Sequence, residues 1–300
     1  MKLIPALAVL SLAWHTALLA QESSPQEPAP ATVKRGSVRL DADGRMHDDF
    51  TGTLAKWGLS EDNRYELPEN TPARIDIVDA PDLPDRKAVR FFVPREPNHF
   101  RAEISLRSER GYQERWYSER ILVPKDWVHE HKEPGNDIVM QWHGIPGNWK
   151  PTFPNLEISI GGDHWHVRES HGSARNPTRE KRSLQIPVVP GKWTHWVIHA
   201  KWSPTEEGLI RIWKDHQLVF ERKGPNVYGD IGVEYTPYLK TGIYHPEWNL
   251  KNRDQQWFDA NKGTALSKTV YVADFRMADG RARYEDMVPA DLKTTIPNQK

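Results

Sequence analysis

The chain has no cysteine, so it carries no disulfide and no thiol chemistry, and a lipid-modified cysteine anchor is excluded. It has no net charge either. Lysine plus arginine number 41, as do aspartate plus glutamate, so no global field draws it to nucleic acid or to a membrane surface. Any affinity for an acidic ligand must come from a local patch. Long apolar runs are missing: residues 3–12 are too short to span a bilayer, and no later run reaches that length. Helical patterns are almost absent, with one short candidate at residues 256–261. What remains is a chain of short alternating segments, punctuated by 24 prolines and 19 glycines and rich in tryptophan, with 13 copies.

A length of 300 residues suits one large domain or two smaller ones and is enough to bury a substantial core. Residues 1–20 have the layout of a secretory signal, with Lys2 ahead of the apolar stretch and small residues before a cleavage point after Ala20. Residues 21–32, rich in Pro, Ser, Gln and Glu, read as a disordered linker. The folded domain is expected over residues 33–300, and the leader implies secretion or a periplasmic address.

Strands are predicted at residues 74–78, 88–93, 100–106, 116–123, 138–143, 156–160, 165–168, 193–202, 209–214, 217–222, 238–244 and 269–277, from period-2 alternation between turn residues. The segment Gly161-Gly162-Asp163 closes one hairpin and Lys214-Asp215-His216 another. Many short strands with few helices imply an all-β sandwich or jelly roll. Residues 144–155, broken by Pro146, Pro151 and Pro154, are expected to form a loop, as is the polar stretch 170–181.

Three of the strands have one packed face and one chemically loaded face. Arg101 and Glu103 alternate with Ala102 and Ile104. Gln141 and His143 alternate with Met140 and Trp142, with Ile138 expected on the packed side and Val139 on the loaded side. Tyr238, Lys240 and Tyr244 form the polar set of the third strand. An antiparallel sheet can merge these faces into one surface. Hydrolysis of a glycosidic bond needs two carboxylates flanking it. Glu103 and Glu157 are the available pair, but the segment around Glu157 has Ser159 where a second acid would help. The set suits β-elimination on a uronic acid better. Removal of the C5 proton builds charge on the neighbouring carboxylate, which Arg, Gln and neutral His stabilise. Tyr and His can take and deliver the protons. A cation such as Lys240 or Arg101 beside the tyrosine favours phenolate.

These segments resemble the signatures of jelly-roll polysaccharide lyases. Arg101-Ala102-Glu103, Gln141-Trp142-His143 and Tyr238-Leu239-Lys240-Thr241-Gly242-Ile243-Tyr244 occur in the order found in alginate lyases of that architecture. The surrounding sequence, from Trp116-Tyr117 to Trp127 and from Val139 to Gly144, looks more like the heparin lyase I-like and glucuronan lyase group. The resemblance runs from about Arg101 to Met277. It implies a β-jelly roll, a concanavalin-like sandwich of two antiparallel sheets with a concave substrate cleft. It further implies that Gln141 and Arg101 neutralise the uronate, that His143 is base or neutraliser, and that Tyr244 is the acid and also a candidate base. Alginate lyases follow the last tyrosine with Asn-Gln, whereas this chain has His245-Pro246, which turns the reading away from alginate.

Around that centre, Glu103 is assigned to orient Arg101 and to border the substrate, and Lys240 to add charge to the cleft. Trp149 and Trp248, in loops beside the site strands, are the candidates for stacking on sugar rings. Arg168 and Arg175 lead a basic cluster with Arg179, Lys181 and Arg182 that could line a groove for a polyanion. His164, His166 and His171 lack carboxylate or cysteine support and are not read as a metal site. No cofactor is implied, and a structural calcium on Asp and backbone oxygens is left open. The expected partner is an acidic polysaccharide, met by a monomer, with no nucleic acid or membrane involved. The alternatives are a non-catalytic carbohydrate-binding jelly roll and a glycoside hydrolase of the same architecture.

Overall fold

The structure, a computed structural model, describes residues 39–54, 57–59, 74–129, 137–144, 153–230, 235–250 and 253–295. The expected signal and linker segments and Trp149 lie outside the described residues.

Among the described residues, fifteen strands form two antiparallel sheets. The first contains β1 (Arg45–Asp48), β3 (Arg74–Asp79), β4 (Lys87–Pro94), β6 (Glu114–Leu122), β11 (Trp193–Lys201), β12 (Leu209–Lys214), β13 (Gln217–Lys223) and β15 (Ser267–Asp279). Its order is β13-β12-β11-β6-β15-β4-β3, and β1 pairs with β15. The second contains β2 (Gly58–Leu59), β5 (Arg101–Ser105), β7 (Asp137–His143), β8 (Pro154–Gly161), β9 (His164–Gly172), β10 (Pro177–Pro187) and β14 (Tyr238–Tyr244). Its order is β10-β9-β8-β7-β14-β5-β2. Sequence neighbours that are not sheet neighbours, such as β14 between β7 and β5, give the crossed connections of a jelly roll. One α-helix is described, α1 (Gln255–Asn261), capped by the Asp254 side chain on the Trp257 amide. No helix among the described residues is long and apolar enough to cross a membrane.

The core lies between the sheets because each strand turns its apolar set inward. Trp165 of β9 meets Trp196 of β11 edge-on with ring centroids 5.0 Å apart, and Tyr117 of β6 meets Trp142 of β7 at 5.3 Å. These rings bridge the two layers and bury large apolar areas in the edge-to-face geometry that aromatic quadrupoles favour. The hairpin between β12 and β13 closes at Asp215 and His216, both at positive φ (47° and 71°), the pair of left-handed residues that a two-residue turn of this twist requires.

Three details depart from the sequence expectation. The polar stretch after residue 170 is not a loop. Its last part is β10, an edge strand paired residue by residue with β9. In β7 the register shifts between Ile138 and Met140, a β-bulge at Val139. Val139 and Met140 consequently both join the core, while Ile138 lies opposite Ser159. Beyond the bulge the expected alternation holds, with Met140 and Trp142 inside. Trp248, expected in a loop with a free face, is fully buried. Its indole N–H donates to the Lys262 carbonyl and its ring packs on His245, with centroids 4.4 Å apart. A ring so enclosed has no face for a sugar.

Candidate active site

The second sheet carries a polar row running across its strands. By register it passes from Lys181 on β10 through Arg168 on β9, Glu157 on β8, Gln141 on β7 and Lys240 on β14 to Ser105 on β5. The same strands send Ile158, Trp142, Leu239 and Ile104 into the core, so period-2 alternation alone puts the row on the face away from it.

At the centre, Gln141 donates from Nε2 to Glu103 Oε1 at 2.5 Å, and Arg101 Nη1 stands 3.6 Å from Glu103 Oε2. Glu103 is only 1% exposed. It therefore orients Gln141 as well as Arg101, and Gln141 is nearly as covered, at 2%. Lys240 is also buried, with Nζ 5.9 Å from the centre of the Tyr238 ring. The glycine of the Tyr-x-Lys-x-Gly-x-Tyr segment has a mechanical reason. Gly242 sits at φ 142°, and a Cβ there would fall 2.2 Å from the Ala102 carbonyl and 2.8 Å from Glu103 Cα. Only glycine lets β14 approach β5 closely enough to set Lys240 and Tyr244 beside Glu103 and Arg101.

The two ends of β14 carry different pairs. At one end Tyr244 lies opposite Arg101, whose guanidinium carbon is 4.3 Å from the tyrosine ring centre, and Phe100 flanks the ring at 5.7 Å. At the other end Tyr238 lies opposite His143, with ring centroids 5.9 Å apart. His143 and Tyr244 are thus not neighbours: Tyr244 pairs with Ile138, five residues from His143, or about 15 Å of strand. The His143 Nδ1 is 3.0 Å from the Gly144 carbonyl. A carbonyl only accepts, so Nδ1 carries the hydrogen, and a neutral ring then has its lone pair on Nε2.

Arg168 reaches Glu157 at 2.9 Å. Burial raises the Glu157 pKa, opposed by the charges of Arg168, Arg179 and Lys181. Glu103 and Glu157 are thus both buried and engaged with cations or amide, and neither is presented across a gap as the hydrolytic pair needs. Arg182 turns away to the Phe220 ring of β13 (5.6 Å). Arg175 lies exposed in the turn before β10, where Ser173 Oγ and the Ala174 amide donate to Asp230. The histidines part company: His166 bonds the Gly161 carbonyl, His164 contacts Asp163, and His171 contacts Arg222.

One cluster escaped the sequence reading. Behind the Tyr244 end of β14, His245 Nδ1 lies 2.6 Å from Asp137 Oδ1, and Lys268 Nζ lies 2.9 Å from Asp137 Oδ2, all fully or nearly fully buried. Burial pushes the Asp137 pKa up, but Lys268 and His245 outweigh it and hold it below the usual carboxylate range. Its residues are scattered over positions 137, 245 and 268, and no local spacing announces them. The His245-Pro246 departure from the alginate pattern was the one visible sign.

The polysaccharide lyase family model matches residues 50–262, more than half of the chain. The chain belongs to the polysaccharide lyase family. Its fold is that of an endo-β-1,4-glucuronan lyase from the fungus Trichoderma reesei, at a TM-score of 0.63 and 17% identity over 81% of this chain and 97% of the other. Looser likenesses are to the alginate lyase AlyC3 (TM-score 0.43, 13% identity, 63% and 74% covered) and to the cellulose induced protein Cip1 (0.45, 12%, 78% and 96%). No curated protein sequence matches the chain. Family membership makes the protein a polysaccharide lyase with a jelly-roll fold, and sets aside the hydrolase and the non-catalytic binding module.

Proposed function

We propose that this lyase is exported and cleaves a uronic-acid polysaccharide by β-elimination at the surface between Arg101 and His143. The observation that carries the reading is the Arg101–Glu103–Gln141 chain of contacts. Glu103 fixes an amide and a guanidinium side by side, a preorganised pair of donors for a carboxylate that gains charge in the transition state. Bound there, the C5 hydrogen of the uronate lies next to the carboxylate and within the span of the flanking side chains. His143 Nε2 takes the C5 proton, the electron pair forms the C4–C5 double bond, and the C4–O4 bond breaks. A tyrosine of β14 gives its hydroxyl proton to the departing oxygen, Tyr244 by the resemblance of its segment, and solvent resets both groups. The product is an unsaturated uronyl end and a new free hydroxyl. Arg168 extends the anion-binding surface. The ring contact between His143 and Tyr238 favours a second assignment of the acid, to Tyr238, within the same reaction.

The test is a panel of uronans, glucuronan and alginate among them, followed by the absorbance of the conjugated unsaturated uronate. A rise on at least one polymer is expected, and its loss in His143→Ala. Release of reducing ends without that absorbance would falsify the elimination.

A further inference from the structure

The uronate reading leaves one part of the polar face unused. On β8, β9 and β10, Arg168, Arg179 and Lys181 all act on the single carboxylate of Glu157. Arg168 reaches that carboxylate directly at 2.9 Å. Burial and the neighbouring Arg168 depress even the Arg179 guanidinium. Arg179 and Lys181 are exposed on this sheet face, where a bound anion meets them. Arg179 is also built into a platform. Its guanidinium carbon lies 3.4 Å from the centre of the Phe153 ring, and Phe153 is 43% exposed. The Tyr228 hydroxyl donates to the Phe153 carbonyl at 2.8 Å and holds that residue in place. A guanidinium stacked on a ring keeps its N–H edge turned outward for a carboxylate.

We infer that Arg179, Lys181 and Phe153 form a second uronate subsite, which binds a sugar of the same chain two to three rings from the scissile bond on the β10 side. This rests on the uronan reading of the site above. The spacing follows from the sheet. The polar row crosses the strands, so a polysaccharide lying along it advances by one strand, about 4.8 Å, for roughly each sugar ring. Gln141 is on β7 and the cluster is on β9 and β10, which places it about 10–14 Å away. Phe153 offers the apolar ring surface on which a pyranose face stacks, and the cations take its carboxylate.

The test uses size-defined oligoglucuronates and oligomannuronates from dimer to hexamer, with the wild type, Arg179→Ala/Lys181→Ala and the charge-preserving Arg179→Lys/Lys181→Arg. Where unsaturated ends form, kcat/KM is read at each length, and calorimetric Kd is read throughout. The alanine pair should lose about tenfold on the hexamer, a loss that shrinks as the oligomer shortens, and the charge-preserving pair should keep most of the affinity. A loss equal at every length, no loss at all, or a wild type that binds neither oligomer series would overturn the subsite. A wild type that binds the hexamer without forming unsaturated ends would defeat the elimination instead. In that case a weaker Kd in the alanine pair still upholds the subsite, and an unchanged Kd overturns it.

Discussion

At the scale of single residues, partners rather than burial distinguish the side chains of the polar face, since Gln141 at 2% exposure is as covered as Glu103 at 1%. Glu103 and Gln141 were both legible as members of a polar strand face, but only the hydrogen bond between them shows that Glu103 works through its neighbours. Tyr244 and Tyr238 pose the sharper question. The sequence pattern favours Tyr244, six residues and about 20 Å of extended strand from Tyr238, and the register then sets Tyr238 rather than Tyr244 beside His143. Phenylalanine at either position removes one hydroxyl and keeps the ring packed. If Tyr244 protonates the leaving oxygen, Tyr244→Phe should lower kcat by about a hundredfold or more and leave KM nearly unchanged, because the contact is made mainly in the transition state. Tyr238→Phe should be mild. The reverse ranking would move the acid to the His143 end of the strand. The Asp137 cluster makes a different prediction. Lys268→Met leaves Asp137 and His245 buried without the lysine, and a broken buried pair costs about 3–5 kcal/mol. Chemical denaturation should show that loss, and a change under 1 kcal/mol would mean the cluster relaxes at little cost.

At the scale of elements, the strands that were legible are those with one apolar face. Residues 238–244 were read with the bounds the structure gives. The edge strand β10 was missed because its first part, residues 177–183, is polar on both faces, and only Leu184 and Ile186 beyond it pack on the core, so period 2 leaves little trace in hydrophobicity. The bulge at Val139 was illegible for another reason. A bulge is a property of pairing between strands, and β7 alone does not say where β8 will slip. Family signatures mark positions rather than faces, and the register sets their three segments on the neighbouring strands β5, β14 and β7. Gly242 ties element to site. In Gly242→Ala the new methyl would press on the β5 backbone, and alanine disfavours the required φ. The variant should lose at least about 2 kcal/mol of stability along with its activity, both read after purification of the folded fraction. An alanine variant of wild-type stability would show that β14 and β5 have room to separate.

At the scale of the molecule, two sheets share one core, and charge is distributed unevenly over them. Between the sheets Glu119 of β6 accepts from the Thr241 hydroxyl of β14 at 2.7 Å, and burial pushes its pKa up to about 8. From the ordinary carboxylate value of about 4.3 up to that pH, the folded chain keeps a proton the unfolded chain has released. Stability from this group is therefore full at low pH, falls as pH rises through that window and levels off above it. Glu119→Gln should gain in melting temperature relative to wild type as pH goes from 5 to 8, and a difference independent of pH would contradict the buried neutral acid. On the outer face of the second sheet the imbalance is positive, with Arg179 and Lys181 exposed and Arg168 and Lys240 largely covered. Salt acts unequally on these. Screening shortens to about 10 Å at 0.1 M ionic strength and weakens exposed charges first, while buried pairs are screened much less. For a polyanionic substrate KM should accordingly rise with salt while kcat stays nearly level, since the donors around Gln141 are held inside the sheet face. The slope should belong mostly to the exposed pair, so Arg179→Ala/Lys181→Ala should start from a higher KM and respond less to salt. A variant with the full wild-type slope would place the long-range attraction elsewhere on the surface, and a wild-type KM flat from 0.02 to 0.2 M salt would remove the electrostatic groove altogether.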